Sequence, residues 1–208
     1  MGCRDHNSRS ESPDVGDKFV AGLGSQTPPS DKMNIAVANR QRTRKINLRL
    51  LKKIANALLT ELEIEKAEIG ICLVAVPEMT RLNETFLKHK GSTDVITFDY
   101  GLGVPPSGGS KRGVVPAQNN RLKPGHQTLH GEIFVCVDEA VLQARKFGTS
   151  WQSEVIRYLV HGVLHLLGFD DSSVGARRKM KREENRRLGE LSRRFTLAQL
   201  SRPARIPA

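Results

Sequence analysis

Residues 161–171 read His161-Gly162-Val163-Leu164-His165-Leu166-Leu167-Gly168-Phe169-Asp170-Asp171. His161 and His165 are four apart, so on a helix they share one face about one turn apart. Imidazole nitrogens and carboxylate oxygens bind zinc at about 2.0–2.2 Å, and three protein ligands plus an open position make a catalytic zinc site. A continuous helix would carry the acidic pair away from the histidines. Gly168, placed where the helix should stop, permits the turn that brings the chain back. The spacing His, three residues, His, five residues, Asp therefore predicts one Zn2+, or another divalent transition metal, on His161, His165 and Asp171. Asp170 is the rival third ligand; otherwise it is a helix-terminal carboxylate or one that orients a histidine. The alternative without a metal is a pair of histidines satisfied by hydrogen bonds on an amphipathic helix.

Metalloproteases also place two histidines four apart, in H-E-x-x-H, with the glutamate as general base. Gly162 stands at that position and cannot accept a proton. The stretch thus predicts a zincin-like metal helix without the peptidase machinery.

Outward from this stretch, Ser150–Leu167 and Asp138–Phe147 read as helices, and Ser173 caps a last helix to about Leu191. Asn47 caps a helix from Leu48 to about Leu62, with Leu51, Ile54, Leu58 and Leu62 on one face. Pro77 suits the first turn of a helix running to about Leu87. Strands are expected at Met33–Ala38, Ile69–Val76, Thr93–Phe98 and Glu132–Val137. Interspersed strands and helices predict a single α+β domain, a small mixed sheet packed with helices. Residues 1–32 read as a disordered leader and 101–128 as a flexible Gly/Pro-bearing insertion. The metal domain spans 33–194, and 195–208 form a basic tail.

The chain of 208 residues carries a net charge of +11 with a pI near 10.0, which favours polyanionic partners such as RNA, DNA or an anionic membrane surface. Aromatic content of 5% argues against large stacking platforms. Three cysteines without metal-type spacing, Cys3, Cys72 and Cys136, predict a reducing compartment with no disulfide framework. There is no apolar run of about 18 residues, so no membrane span is expected.

H-G-V-L-H-L-L-G-F-D-D resembles the signature of the YbeY-type endoribonucleases, the bacterial ribosomal-RNA maturation factors. Leu82-Asn83 through Thr93-Asp94-Val95-Ile96-Thr97-Phe98 resembles that family's L-N segment and T-D-V strand. Gly131-Glu132-Ile133-Phe134-Val135, followed by Ala140, resembles its G-D-I strand. The likeness spans roughly Met33 to Leu191. It implies an α+β fold, one metal on three residues, and metal-dependent hydrolysis of single-stranded RNA. It further implies a cytoplasmic role in small-subunit rRNA maturation and ribosome quality control.

The chain departs from the family pattern twice. Asp171 stands where the family usually has a third histidine; an anionic oxygen donor makes bound water less acidic and admits harder metals such as manganese. Leu87 stands where many members carry an arginine thought to face RNA, leaving Lys88, His89 and Lys90 as nearby candidates. His89 is a candidate general base, because imidazole titrates near neutral pH; otherwise it is a solvated loop residue. Asp94 is expected to make structural hydrogen bonds at a strand edge. Beyond Asp171, Arg177, Arg178, Lys179, Lys181, Arg182, Arg186, Arg187, Arg193 and Arg194 form either an RNA-facing helix or a solvated, ion-paired face. Lys111, Arg112, Arg121 and Lys123 could add RNA contacts. Two other function classes stay open at this point: a non-catalytic RNA-binding assembly factor with a structural metal, and a metal hydrolase acting on another substrate.

Overall fold

The computed structural model describes residues 33–101 and 128–201. The leader 1–32, nearly all of the insertion with its four cations, and tail residues 202–208 lie outside the described residues. The strands are β1 (Met33–Asn39), β2 (Lys66–Val74), β3 (Val95–Asp99) and β4 (Thr128–Cys136). They form one mixed sheet in the order β1-β2-β4-β3. β1 and β4 run parallel to β2, with Ile69 opposite both Ile35 and Gly131. β3 runs antiparallel to β4, with Ile96 opposite Phe134. β2 lies inside the sheet, and Ile69 to Val74 is an unbroken buried run, as expected for a strand covered on both faces.

The helices are α1 (Leu48–Glu61), α2 (Val76–Leu82), α3 (Val137–Phe147), α4 (Trp151–Leu166) and α5 (Val174–Arg194). Asn47, Ser150 and Ser173 each cap a helix by accepting a backbone N–H three residues on. The larger core joins Ile35, Ile69, Ile71, Ile133 and Val135 to Leu51, Ile54 and Leu58 of α1 and to Ile156, Leu159 and Leu164 of α4. A smaller cluster on the other face joins Cys72, Val74, Phe134 and Cys136 to Met79 and Leu82 of α2. The fold is the expected single-domain α+β arrangement.

The helix expected to reach Leu87 changes pitch. After Leu82 it continues as a π-helical turn, Asn83–Leu87, and ends at Lys88 with φ of 58°. Buried Asn83 then donates from its side chain to the Gly91 carbonyl and fixes the following loop. The expected tail begins as structure: a 3-10 turn at Leu197–Ser201 buries Leu200, whose carbonyl accepts the Asn47 N–H at 2.8 Å.

α4 passes directly over the sheet, and two glycines set its depth. A Cβ on Gly162 would lie 2.6 Å from Ile133 Cγ2. One on Gly131 would lie 2.4 Å from the Phe98 carbonyl oxygen and 2.7 Å from Leu166 Cδ2. Gly162 is therefore a packing residue: any side chain there would be driven into the sheet.

Candidate metal centre

α4 ends in a Schellman cap. The Phe169 N–H donates to the Leu164 carbonyl at 3.0 Å and the Gly168 N–H to the His165 carbonyl at 2.8 Å. Gly168 has φ of 82°, a left-handed conformation that costs glycine nothing. The reversal returns the chain beside the face carrying the histidines. Among the described residues, His161, His165 and Asp171 each bring one ligand atom within 4.8 Å of the others. All three are partly buried.

The Nδ1 partners of the two rings favour one tautomer for each. His165 Nδ1 faces the Phe169 carbonyl at 3.0 Å, and a carbonyl only accepts, so Nδ1 carries the hydrogen. His161 Nδ1 faces the Glu184 carboxylate at 3.3 Å and is a donor for the same reason. In the neutral rings both Nε2 atoms then hold lone pairs, and they face each other at 3.0 Å. Two lone pairs at that distance repel unless a proton or a metal ion lies between them. Burial, and then the neighbouring His161, pushes the His165 pKa down, which favours its neutral, ligand-competent form. Two imidazole nitrogens and one carboxylate also match zinc donor chemistry. The residues present fit a divalent metal.

Asp170, the rival ligand, turns away. It is exposed and accepts from the Ser172 hydroxyl and, at 3.0 Å, from the Ser172 N–H. The hydroxyl hydrogen bond is the main reason its pKa lies below the usual carboxylate value.

Glu184 of α5 is the site feature that sequence reading missed. It is 4% exposed and accepts from Arg157 Nη1 and Lys181 Nζ, each at 2.7 Å. Burial alone would raise its pKa, but hydrogen bonds from His161, Lys181 and Arg157 hold it at about 2. The available signal was small: a glutamate within a run of charge, on the same helix face as buried Met180, Leu188 and Leu191.

A cleft of about 570 Å³ opens beside the centre, lined among others by Asp94, Arg157, Tyr158, His161, Asp171 and Lys181. Asp94 accepts from the Thr93 hydroxyl and the Val95 N–H, the strand-edge role expected of it. Lys88, His89 and Lys90 are exposed and lie outside the lining of this cleft. Leu87 packs against the smaller core cluster. On α5, Arg186 and Arg187 pair with Glu183, and Arg194 pairs with Glu61 of α1. Arg178, Lys179, Arg182 and Arg193 are exposed.

The family model described as Endoribonuclease YbeY matches residues 36–192. An Endoribonuclease YbeY of Myxococcus xanthus is 35% identical over 142 residues, covering 68% of this chain and 42% of that longer protein. The Salinibacter ruber protein of the same name is 26% identical over 161 residues, covering 77% of this chain and 94% of its own. That of Aquifex aeolicus is 32% identical over 151 residues, covering 72% and 87%. A solution structure from Thermotoga maritima superimposes with a TM-score of 0.50 at 22% identity, over 83% of this chain and 99% of that one, a likeness of fold. By its match over residues 36–192, this chain belongs to the Endoribonuclease YbeY family.

Proposed function

We propose that this chain is a metal-dependent endoribonuclease that cuts single-stranded RNA during rRNA maturation and ribosome quality control. The observation that carries the metal half of this reading is the convergence of His161 Nε2 and His165 Nε2, 3.0 Å apart, with an Asp171 carboxylate oxygen beside an open cleft. The family membership carries the ribonuclease half. His161, His165 and Asp171 would hold one Zn2+ or a similar divalent ion. Such an ion supplies Lewis acidity toward a phosphate oxygen and makes water a better nucleophile at neutral pH.

The chain's own groups account for the rest. Arg157 and Lys181 line the cleft, each paired with Glu184, and the charge that attracts a phosphodiester backbone is assigned to the exposed cations Arg178, Lys179, Arg182 and Arg193 of α5. Asp171 brings a negative charge that a third histidine would not, which favours harder metals. His89, exposed on the loop after the π-helical turn, is put forward as a proton acceptor, to be tested by the pH–rate profile of His89→Ala. The exposed cations of α5 would add backbone contacts. The small ribosomal subunit is the proposed partner and the cytoplasm the proposed compartment. Among the described residues, no helix is long and apolar enough to cross a membrane.

Labelled single-stranded and duplex RNA, incubated with protein before and after chelation, test the proposal. Cleavage of the single strand that stops on chelation and returns with added metal is the expected result. Cleavage indifferent to chelation would contradict it.

A further inference from the structure

The two carboxylate oxygens of Glu184 have different partners. Oε1 accepts from Arg157 Nη1 and Lys181 Nζ, and Oε2 faces His161 Nδ1. Arg157 and His161 lie four apart on α4 and so present one face, and Glu184 reaches that face from α5. A carboxylate this buried is costly unless it is paired and hydrogen-bonded, and this one is held on both oxygens. We infer that Glu184 is a positioning residue: it selects the Nδ1–H tautomer of His161 and aims Nε2 at the metal position, while Arg157 and Lys181 anchor its other oxygen. This rests on the metal reading above. It adds a residue from a second helix, so the orientation of the first ligand depends on how α5 packs against α4.

Glu184→Gln separates positioning from shape, because the side chain keeps its size. A glutamine has one oxygen and one NH2 group. Arg157 and Lys181 only donate, so they claim the oxygen, and the NH2 is left facing His161. The hydrogen bond to His161 then reverses polarity, and the ring must move its proton to Nε2. Glu184→Ala removes the acceptor altogether and should release the same preference. Lys181→Met leaves the carboxylate and Arg157 in place and should not.

The experiment is a 15N ring-tautomer measurement on the metal-free full chain at about pH 8, above the ordinary histidine value, paired with a Zn2+ competition titration. The expected result is Nδ1–H on His161 in the wild type and Lys181→Met, Nε2–H in Glu184→Gln, and loss of the Nδ1–H preference in Glu184→Ala. Zn2+ affinity should fall roughly 10–100-fold in the last two. Retention of Nδ1–H in both Glu184 variants, or Zn2+ binding as tight as in the wild type, would overturn the inference. The tautomer is read with no metal present, so it decides the role of Glu184 whether or not the wild type cleaves RNA.

Discussion

The Phe169 carbonyl accepts the Nδ1–H of His165 at 3.0 Å, so the residue that completes the cap of α4 also orients its second histidine. Stopping the helix and aiming the ligand are one event, and both depend on the left-handed turn at Gly168. Gly168→Ala should cost about 1–2 kcal/mol of stability, the penalty of a left-handed L-residue, and should weaken Zn2+ binding. Gly189→Ala is the contrast: its Cβ would meet open space on α5, and removing a mid-helix glycine should stabilise by about 0.5–1 kcal/mol. Urea unfolding midpoints of the two variants check this. Equal shifts would contradict it.

Asp171 lies with the histidines, whereas Asp170 is engaged by Ser172. Asp171→Ala should therefore lose most Zn2+ affinity, Asp170→Ala should keep it, and Asp171→His should keep or tighten it. Chelator competition measures all three. Greater loss in Asp170→Ala than in Asp171→Ala would reverse the ligand assignment.

Acid should loosen the contact between α4 and α5. The folded pKa of Glu184, about 2, lies below its ordinary value of 4.5. Its contribution is therefore complete above the ordinary value and is lost as pH falls from there towards 2. The shift corresponds to about 3 kcal/mol. In the metal-free protein, stability measured across that window should fall less steeply in Glu184→Gln than in the wild type. Identical profiles would mean that the carboxylate is not stabilised in the fold.

On α5, Lys181, Arg186, Arg187 and Arg194 are ion-paired, and Arg178, Arg182 and Arg193 are exposed. Simultaneous Arg178→Gln, Arg182→Gln and Arg193→Gln should weaken single-stranded RNA binding and flatten its salt dependence. The slope of log K against log salt should fall by about 0.7 for each lost phosphate contact. An unchanged slope would identify this face as merely solvated.

The metal stretch was legible because its signals are local: a four-residue spacing, a glycine at the helix end and an acid after it. Helix starts at Asn47 and Ser173 were legible for the same reason. The features that escaped depend on contacts distant in sequence. β2 begins at Lys66 and β4 at Thr128, earlier than apolar content suggests, because Lys66, Glu68 and His130 take ladder positions in the sheet without being hydrophobic. Gly162 could be read as a missing base, but its closeness to Ile133 depends on how α4 sits on β4. Glu184 resembles its charged neighbours until α4 supplies Arg157 and His161. Leu200 belongs to the core only because the chain returns to Asn47.

Cleavage of a labelled single-stranded RNA by metal-loaded wild type, set beside a His161→Ala/His165→Ala double variant purified in the same way, decides whether the proposed metal centre does the chemistry. Endonucleolytic products are expected from the wild type and none from the double variant. Equal cleavage by both would place the chemistry away from these histidines and overturn the proposed site.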